Sequence, residues 1–285
     1  MRWEGRRQSD NIEDRRGMRI SRGGMVGGGI GTIAIALLVI FLGGDPTAVL
    51  EGVGTGGPVQ TTEEPYAESP KEAEWRQQIA VALADTEDTW NAVFADLGGQ
   101  YREPTLVLFN GAVESACGVA ESAVGPFYCP ADQQVYIDLN FFDLLDAKLG
   151  AKGDFARAYV VAHEVGHHVQ NLRGISTQVH ETQQRVGQVE ANQLSVRLEL
   201  QADCYAGLWA HRADRYAGVL EPGDIDEALD AASAVGDDKL QRSAGRAVVP
   251  DSFTHGSSEQ RKRWFSGGFQ AGSVEACDTF KAADL

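Results

Sequence analysis

The residues best suited to chemistry are His163, Glu164 and His167, which stand as His163-Glu164-Val165-Gly166-His167 inside the run FARAYVVAHEVGHHVQNL. Apolar residues recur through that run at helical spacing, so it is expected to be a helix on which two imidazoles four residues apart share one face. Two imidazoles so placed can bind one metal ion. Zinc suits them, because imidazole nitrogen binds it at about 2.0 to 2.1 Å and a catalytic site needs only a third protein ligand, leaving a position for water. Glu164 lies one residue beyond the first imidazole. From there a carboxylate can take the proton of an activated water as its oxygen attacks a peptide carbonyl.

The third ligand has to come from elsewhere. A histidine six residues past His167 would make a metzincin pattern, but Gln170 and Arg173 occupy the glycine and histidine places of that pattern. Downstream, Glu199-Leu200-Gln201-Ala202-Asp203 puts two carboxylates at i and i+4 on one helical face. Glu199 can then bind zinc while Asp203 accepts a hydrogen bond from a ligand histidine and fixes its tautomer. Glu190 is the competing ligand, but Leu194 stands four residues after it where an acid would be wanted. His168 is rotated off the ligand face, and His180 and His211 lack a paired carboxylate, so all three read as structural.

The elements that position these residues can be outlined. Residues 71–97 carry Trp75, Ile79, Leu83, Trp90, Val93, Phe94 and Leu97 at helical spacing and end at Gly98-Gly99, which reads as one long amphipathic helix. Residues 104–109 (PTLVLF) and 134–139 (QVYIDL) read as strands of a small sheet. The first of them could be a free sheet edge that receives an extended substrate, or a plain core strand. Further helices are expected at about 154–172, 176–216, 223–239 and 257–270. The fold class is therefore α+β, mainly α, with a small sheet.

Residues 25–42 (MVGGGIGTIAIALLVIFL) hold no charge, and at about 1.5 Å per residue they nearly match a hydrocarbon layer of about 30 Å. This run reads as a single transmembrane helix, with a cleaved signal peptide or a buried core helix as its rivals. Before it lie seven arginines among residues 1–22, so residues 1–24 are expected to be a basic cytoplasmic tail and everything after Asp45 extracytoplasmic. Residues 43–70 mix Gly, Pro, Thr and Glu and read as a flexible linker, with the folded domain running from Lys71 to Leu285. In that compartment the four cysteines should form disulfides, Cys117 with Cys129 first and Cys204 with Cys277 by what remains. A formal net charge of −16 argues against nucleic acid as a partner, since phosphate would be repelled. Nothing in the sequence fixes the oligomeric state.

The segments HEVGHHVQNLRG, ELQADCYAGLWAH, CGVAESAVGPFYCPAD with VYIDLNFF, and THGSSEQRKRWF resemble those of the bacterial neutral zinc metallopeptidases, over nearly all of the chain from Lys71 to Phe269. That resemblance implies a zincin-like, gluzincin-type domain, in which HExxH and a distant glutamate hold one zinc ion, similar to that of the HtpX-like membrane proteases. It maps onto His163, Glu164, His167, Glu199 and Asp203. In the HtpX-like group a histidine of a similar late segment lies near the metal. His255 is accordingly expected to stabilise the oxyanion or to occupy the open zinc position at rest, unless it is only a loop histidine before a helix cap. The activity expected is hydrolysis of peptide bonds in a protein or peptide substrate. Two other classes stay open at this point: a catalytically silent, zinc-stabilised envelope protein that binds partners, and a metal-dependent amidase of the cell wall.

Overall fold

The computed structural model describes residues 1–20, 61–63, 66–121 and 124–285. The expected transmembrane helix at 25–42 and most of the expected linker lie outside the described residues. Among the described residues no helix is long and apolar enough to cross a membrane.

The domain is a helical layer against a small mixed sheet. The chain gives short strands β1 (Ile12–Asp14), β2 (Met18–Ile20) and β3 (Thr61–Glu63), then the long helix α1 (Pro70–Asp96). Ser69 opens α1 through a capping box with Glu72, which satisfies donors that the first turn would leave unpaired. Strands β4 (Thr105–Phe109), β5 (Ala112–Ser115), β6 (Gly118–Glu121), β7 (Phe127–Cys129) and β8 (Gln134–Asp138) follow, then a short helix α2 (Asn140–Leu144). The main sheet has the order β1-β4-β8-β7. Its first three strands are parallel, and β7 runs antiparallel to β8.

The second half is helical: α3 (Asp154–Leu172), α4 (Ile175–Gln183), α5 (Gln188–Ala217), α6 (Asp224–Ala234), α7 (Asp237–Ser243) and α8 (Ser258–Ala271). The core joins α1, the inner face of the sheet, α3, α5 and α8 through side chains such as Ile79, Trp90, Leu106, Phe155, Tyr205, Trp209 and Phe265. Two pairs of small residues let these helices approach closely. A methyl group added at Gly166 of α3 would sit 3.1 Å from the Cα of Ala202 on α5. One added at Gly268 of α8 would sit 2.0 Å from the carbonyl oxygen of Cys204. Both disulfides expected from the cysteine pattern are present, Cys117–Cys129 and Cys204–Cys277.

Three expectations need correction. The helix expected over 176–216 is broken between Gln183 and Gln188, and that over 223–239 between Ala234 and Asp237, each break ending at a glycine N-cap. Strand β4 is not a free edge: it lies between β1 and β8, and Leu106, Val107, Leu108 and Phe109 are all buried. Finally, residues 1–20 are not a free basic tail, and the folded unit does not begin at Lys71. Strand β1 is built into the main sheet, β2 pairs with β3, and the Met1 side chain is buried with Trp3 and Ile12 packed on the core. Charge composition reads as a solvated tail because it cannot show that Arg6, Arg7 and Arg16 have acidic partners in the folded domain.

Candidate metal centre

The site forms where α3 and α5 cross. Positions 163 and 167 fall one turn apart on α3, and the Nε2 atoms of His163 and His167 lie 3.2 Å from each other. Glu199 of α5 faces both: its Oε2 is 3.2 Å from Nε2 of His163 and its Oε1 is 3.4 Å from Nε2 of His167. Four bonds of about 2.0 to 2.1 Å arranged tetrahedrally separate neighbouring ligand atoms by about 3.3 Å. The Nε2–Nε2 distance and the approach of one Glu199 oxygen to each imidazole are all close to that edge length, so the two imidazoles and the carboxylate fit a single zinc ion with one position left over. Gly166 is what permits this, because α5 could not bring Glu199 so near with a bulkier residue against Ala202.

Each imidazole is held from behind. Nδ1 of His163 donates to Oδ1 of Asp203 at 2.9 Å, and Nδ1 of His167 donates to Oε1 of Gln170 at 2.9 Å. A proton fixed on Nδ1 leaves the Nε2 lone pair facing the centre in both rings. Asp203, as the i+4 spacing from Glu199 suggests, is fully buried on the inner side. It also accepts from the Tyr159 hydroxyl at 2.5 Å and from Nε and Nη2 of Arg261 at 2.7 and 2.9 Å. Burial opposes the charge on Asp203, but Arg261 and His163 outweigh it and hold this carboxyl below its ordinary value.

The same balance acts on the other groups. Burial would drive His163 towards neutrality, yet Asp203 and Glu199 raise it to about 9. Glu199, despite burial, is held well below the usual carboxylate range by His167, His255 and His163. Glu164 is also buried, and there desolvation outweighs the opposing pull of His163 and His167, so its carboxyl is pushed above the ordinary value. An acid and a base of like chemical type thus have opposite shifts in one site.

His255 sits in the loop before α8, partly exposed, and is drawn up from its ordinary value, against burial, by Glu199 and Asp237. Asp237, in the first turn of α7, gathers that loop. Its Oδ2 accepts the backbone N–H groups of Thr254, His255 and Gly256 at 2.8, 2.7 and 3.0 Å, and its Oδ1 lies 3.3 Å from Nδ1 of His255. The remaining histidines are engaged elsewhere: His168 with the Tyr128 hydroxyl and the Arg102 carbonyl, His180 with Gln184, and His211 with the Phe269 carbonyl. Glu190 is exposed at the start of α5 and takes no part in the cluster of His163, His167 and Glu199.

A second gathering of acids, Asp154, Asp224 and Glu227, is a different environment. The amino group of Met1 pairs there with Asp154 and Asp224. Sequence reasoning missed Tyr159, Gln170, Asp237 and Arg261. Gln170 and Tyr159 left a signal, being three residues after His167 and four before His163 on one helical face, whereas Asp237 and Arg261 left none.

Residues 1–280 match the family described as "Putative neutral zinc metallopeptidase". The chain belongs to that family. Among its relatives, the "Uncharacterized protein YpfJ" of Escherichia coli strain K12 is 50% identical, with 98% of this chain and 99% of that protein covered. The "Uncharacterized protein Rv2575" of Mycobacterium tuberculosis strain H37Rv is 44% identical over 73% of this chain and 72% of that protein. No solved structure matches the chain. The family match over residues 1–280 covers β1 of this chain as well as the helices of the centre.

Proposed function

We propose that this member of the neutral zinc metallopeptidase family hydrolyses peptide bonds in protein or peptide substrates, with one zinc ion held by Nε2 of His163, Nε2 of His167 and the carboxylate of Glu199. The observation that carries the proposal is the convergence of two Nε2 atoms, 3.2 Å apart, with the Glu199 carboxylate, whose Oε2 and Oε1 lie 3.2 and 3.4 Å from them, over backing that fixes both imidazole tautomers. Zinc bound there supplies a Lewis acid that polarises the scissile carbonyl and brings water towards ionisation near neutral pH.

The chain's own groups do the rest. Glu164 follows the first ligand and has its carboxyl raised by desolvation, so it can accept a proton from the attacking water and hold it for the departing amine. His255, whose pKa Glu199 and Asp237 draw up against burial, offers positive charge in its protonated form to an oxyanion on the substrate carbonyl. Asp237 ties down the loop that carries it. Asp203, Arg261 and Tyr159 keep His163 in the orientation the metal needs. The two disulfides support an extracytoplasmic place for the domain, and the uncharged run 25–42 supports attachment to a membrane.

Replacing Glu164 by Gln tests the assignment. Zinc content should stay as in the native chain, while hydrolysis of a denatured protein such as casein should fall by about two to four orders of magnitude, the share general acid–base catalysis commonly supplies. Undiminished cleavage by a zinc-loaded Glu164→Gln chain would refute the role.

A further inference from the structure

We infer that residues 1–20 lie on the same side of the membrane as the metal centre. Backbone segments from before and after the apolar run pair with each other. Ile12, Glu13 and Asp14 of β1 are in parallel register with Leu106, Val107 and Leu108 of β4. Backbone bonds extend this attachment: Ser9 N–H to Ala80 C=O at 3.0 Å, Leu106 N–H to Asn11 C=O at 2.8 Å, Arg15 N–H to Leu108 C=O at 2.8 Å, and Arg2 N–H to Val219 C=O at 2.8 Å. At its far end, Ile20 of β2 is the register partner of Thr61 of β3, so the chain departs and returns at one place. A lone span would put β1 and β4 on opposite sides of a hydrocarbon layer about 30 Å thick, where neither strand could reach the other.

The arginines that argue for a cytoplasmic tail point the other way once their partners are known. The Arg6 guanidinium makes two bonds to Asp85, at 2.6 and 2.7 Å. Arg7 bonds Glu87 and Asp88 at 2.8 Å each. Arg16 is buried between Asp14 and Glu68. The bias of arginine towards the cytoplasm concerns charges in short loops beside a span. Charges already paired with carboxylates of the domain do not oppose being carried with it. The segment is thus an edge strand of the peptidase sheet, and the membrane is met from the domain's own side.

The test is cysteine accessibility in cells with the full chain. The four native cysteines are all in disulfides, so Gln8→Cys or Glu181→Cys, both at exposed positions, supplies one reactive thiol each. Chain recovered in the membrane fraction is treated with a charged, membrane-impermeant maleimide before or after lysis. The inference expects the two positions to behave alike, both labelled in intact spheroplasts or both only after lysis. It is overturned if one is labelled in intact spheroplasts and the other only after lysis, or if the chain is recovered wholly in the soluble fraction. Neither result depends on the zinc chemistry, so the proposed activity stands or falls separately.

Discussion

Asp203 is buried with donors on it from His163, Tyr159 and Arg261, and the fate of that carboxylate decides how well His163 serves a metal. Removing Arg261 leaves a buried negative charge without its main partner. Arg261→Met should therefore weaken zinc binding about 10- to 100-fold, the usual size of an outer-layer effect, as read by chelator competition on chain whose circular dichroism is unchanged. Arg261→Lys should recover only part of it, since an ammonium cannot reproduce the two-pronged bond. Equal zinc affinity in all three chains would contradict this reading. A different histidine sets a pH dependence. Burial pushes His168 from 6.5 down to about 4, so as pH falls below 6.5 the unfolded chain takes up a proton that the folded chain refuses. That contribution is absent above about pH 6.5 and reaches about 3 kcal/mol of lost stability below about pH 4, at 1.36 kcal/mol per pKa unit. Denaturant unfolding at pH 7 and pH 4 should show a smaller acid loss in His168→Gln than in the native chain; equal losses would count against it. The cluster of His163, His167 and Glu199 was legible in part because helical periodicity puts 163 beside 167 and 199 beside 203. Arg261 was not, because its partners Asp203 and Tyr159 are 58 and 102 residues away in sequence, and only the tertiary fold brings them together.

Among the elements, the crossing of α3, α5 and α8 is fixed by glycines as much as by large side chains. Gly268→Ala would drive a methyl group to 2.0 Å from the Cys204 carbonyl oxygen, and the helices must part to accept it. The expected cost is about 1 to 3 kcal/mol or more, measured by denaturant unfolding of the zinc-free protein. No change in midpoint would show that the crossing is looser than described. Gly166→Ala, with its nearest atoms at 3.1 Å, should disturb the centre more gently and show mainly as weaker zinc retention. The helices were readable from periodicity and caps, as α1 and α3 illustrate within about one residue of their ends. The breaks at 184–187 and 235–236 were not, since a glycine within an otherwise helical pattern is tolerated often enough to pass unnoticed. The position of β4 was also hidden: LVLF suits a strand buried on both faces, but the partner that covers its outer edge comes from residues 12–14.

At the level of the whole molecule, what composition and charge say separately about the N-terminal segment and the domain changes once both belong to one sheet. Residues 1–20 close the edge of β4, and Arg6 and Arg7 pair with acids of α1, within a family match that covers residues 1–280. The Cys204–Cys277 bond closes a loop of sequence separation 73 between α5 and the C-terminal segment. Loop-closure entropy makes its removal cost about 4 kcal/mol, so the Cys204→Ala, Cys277→Ala chain should unfold at clearly lower denaturant than the native protein. An unshifted midpoint would mean the segment is held without it. The most direct measurement is the zinc content and affinity of the purified full chain beside its Glu199→Ala variant. The account predicts about one zinc per native chain and a large loss of affinity in the variant, whereas zinc held equally tightly without Glu199 would contradict it.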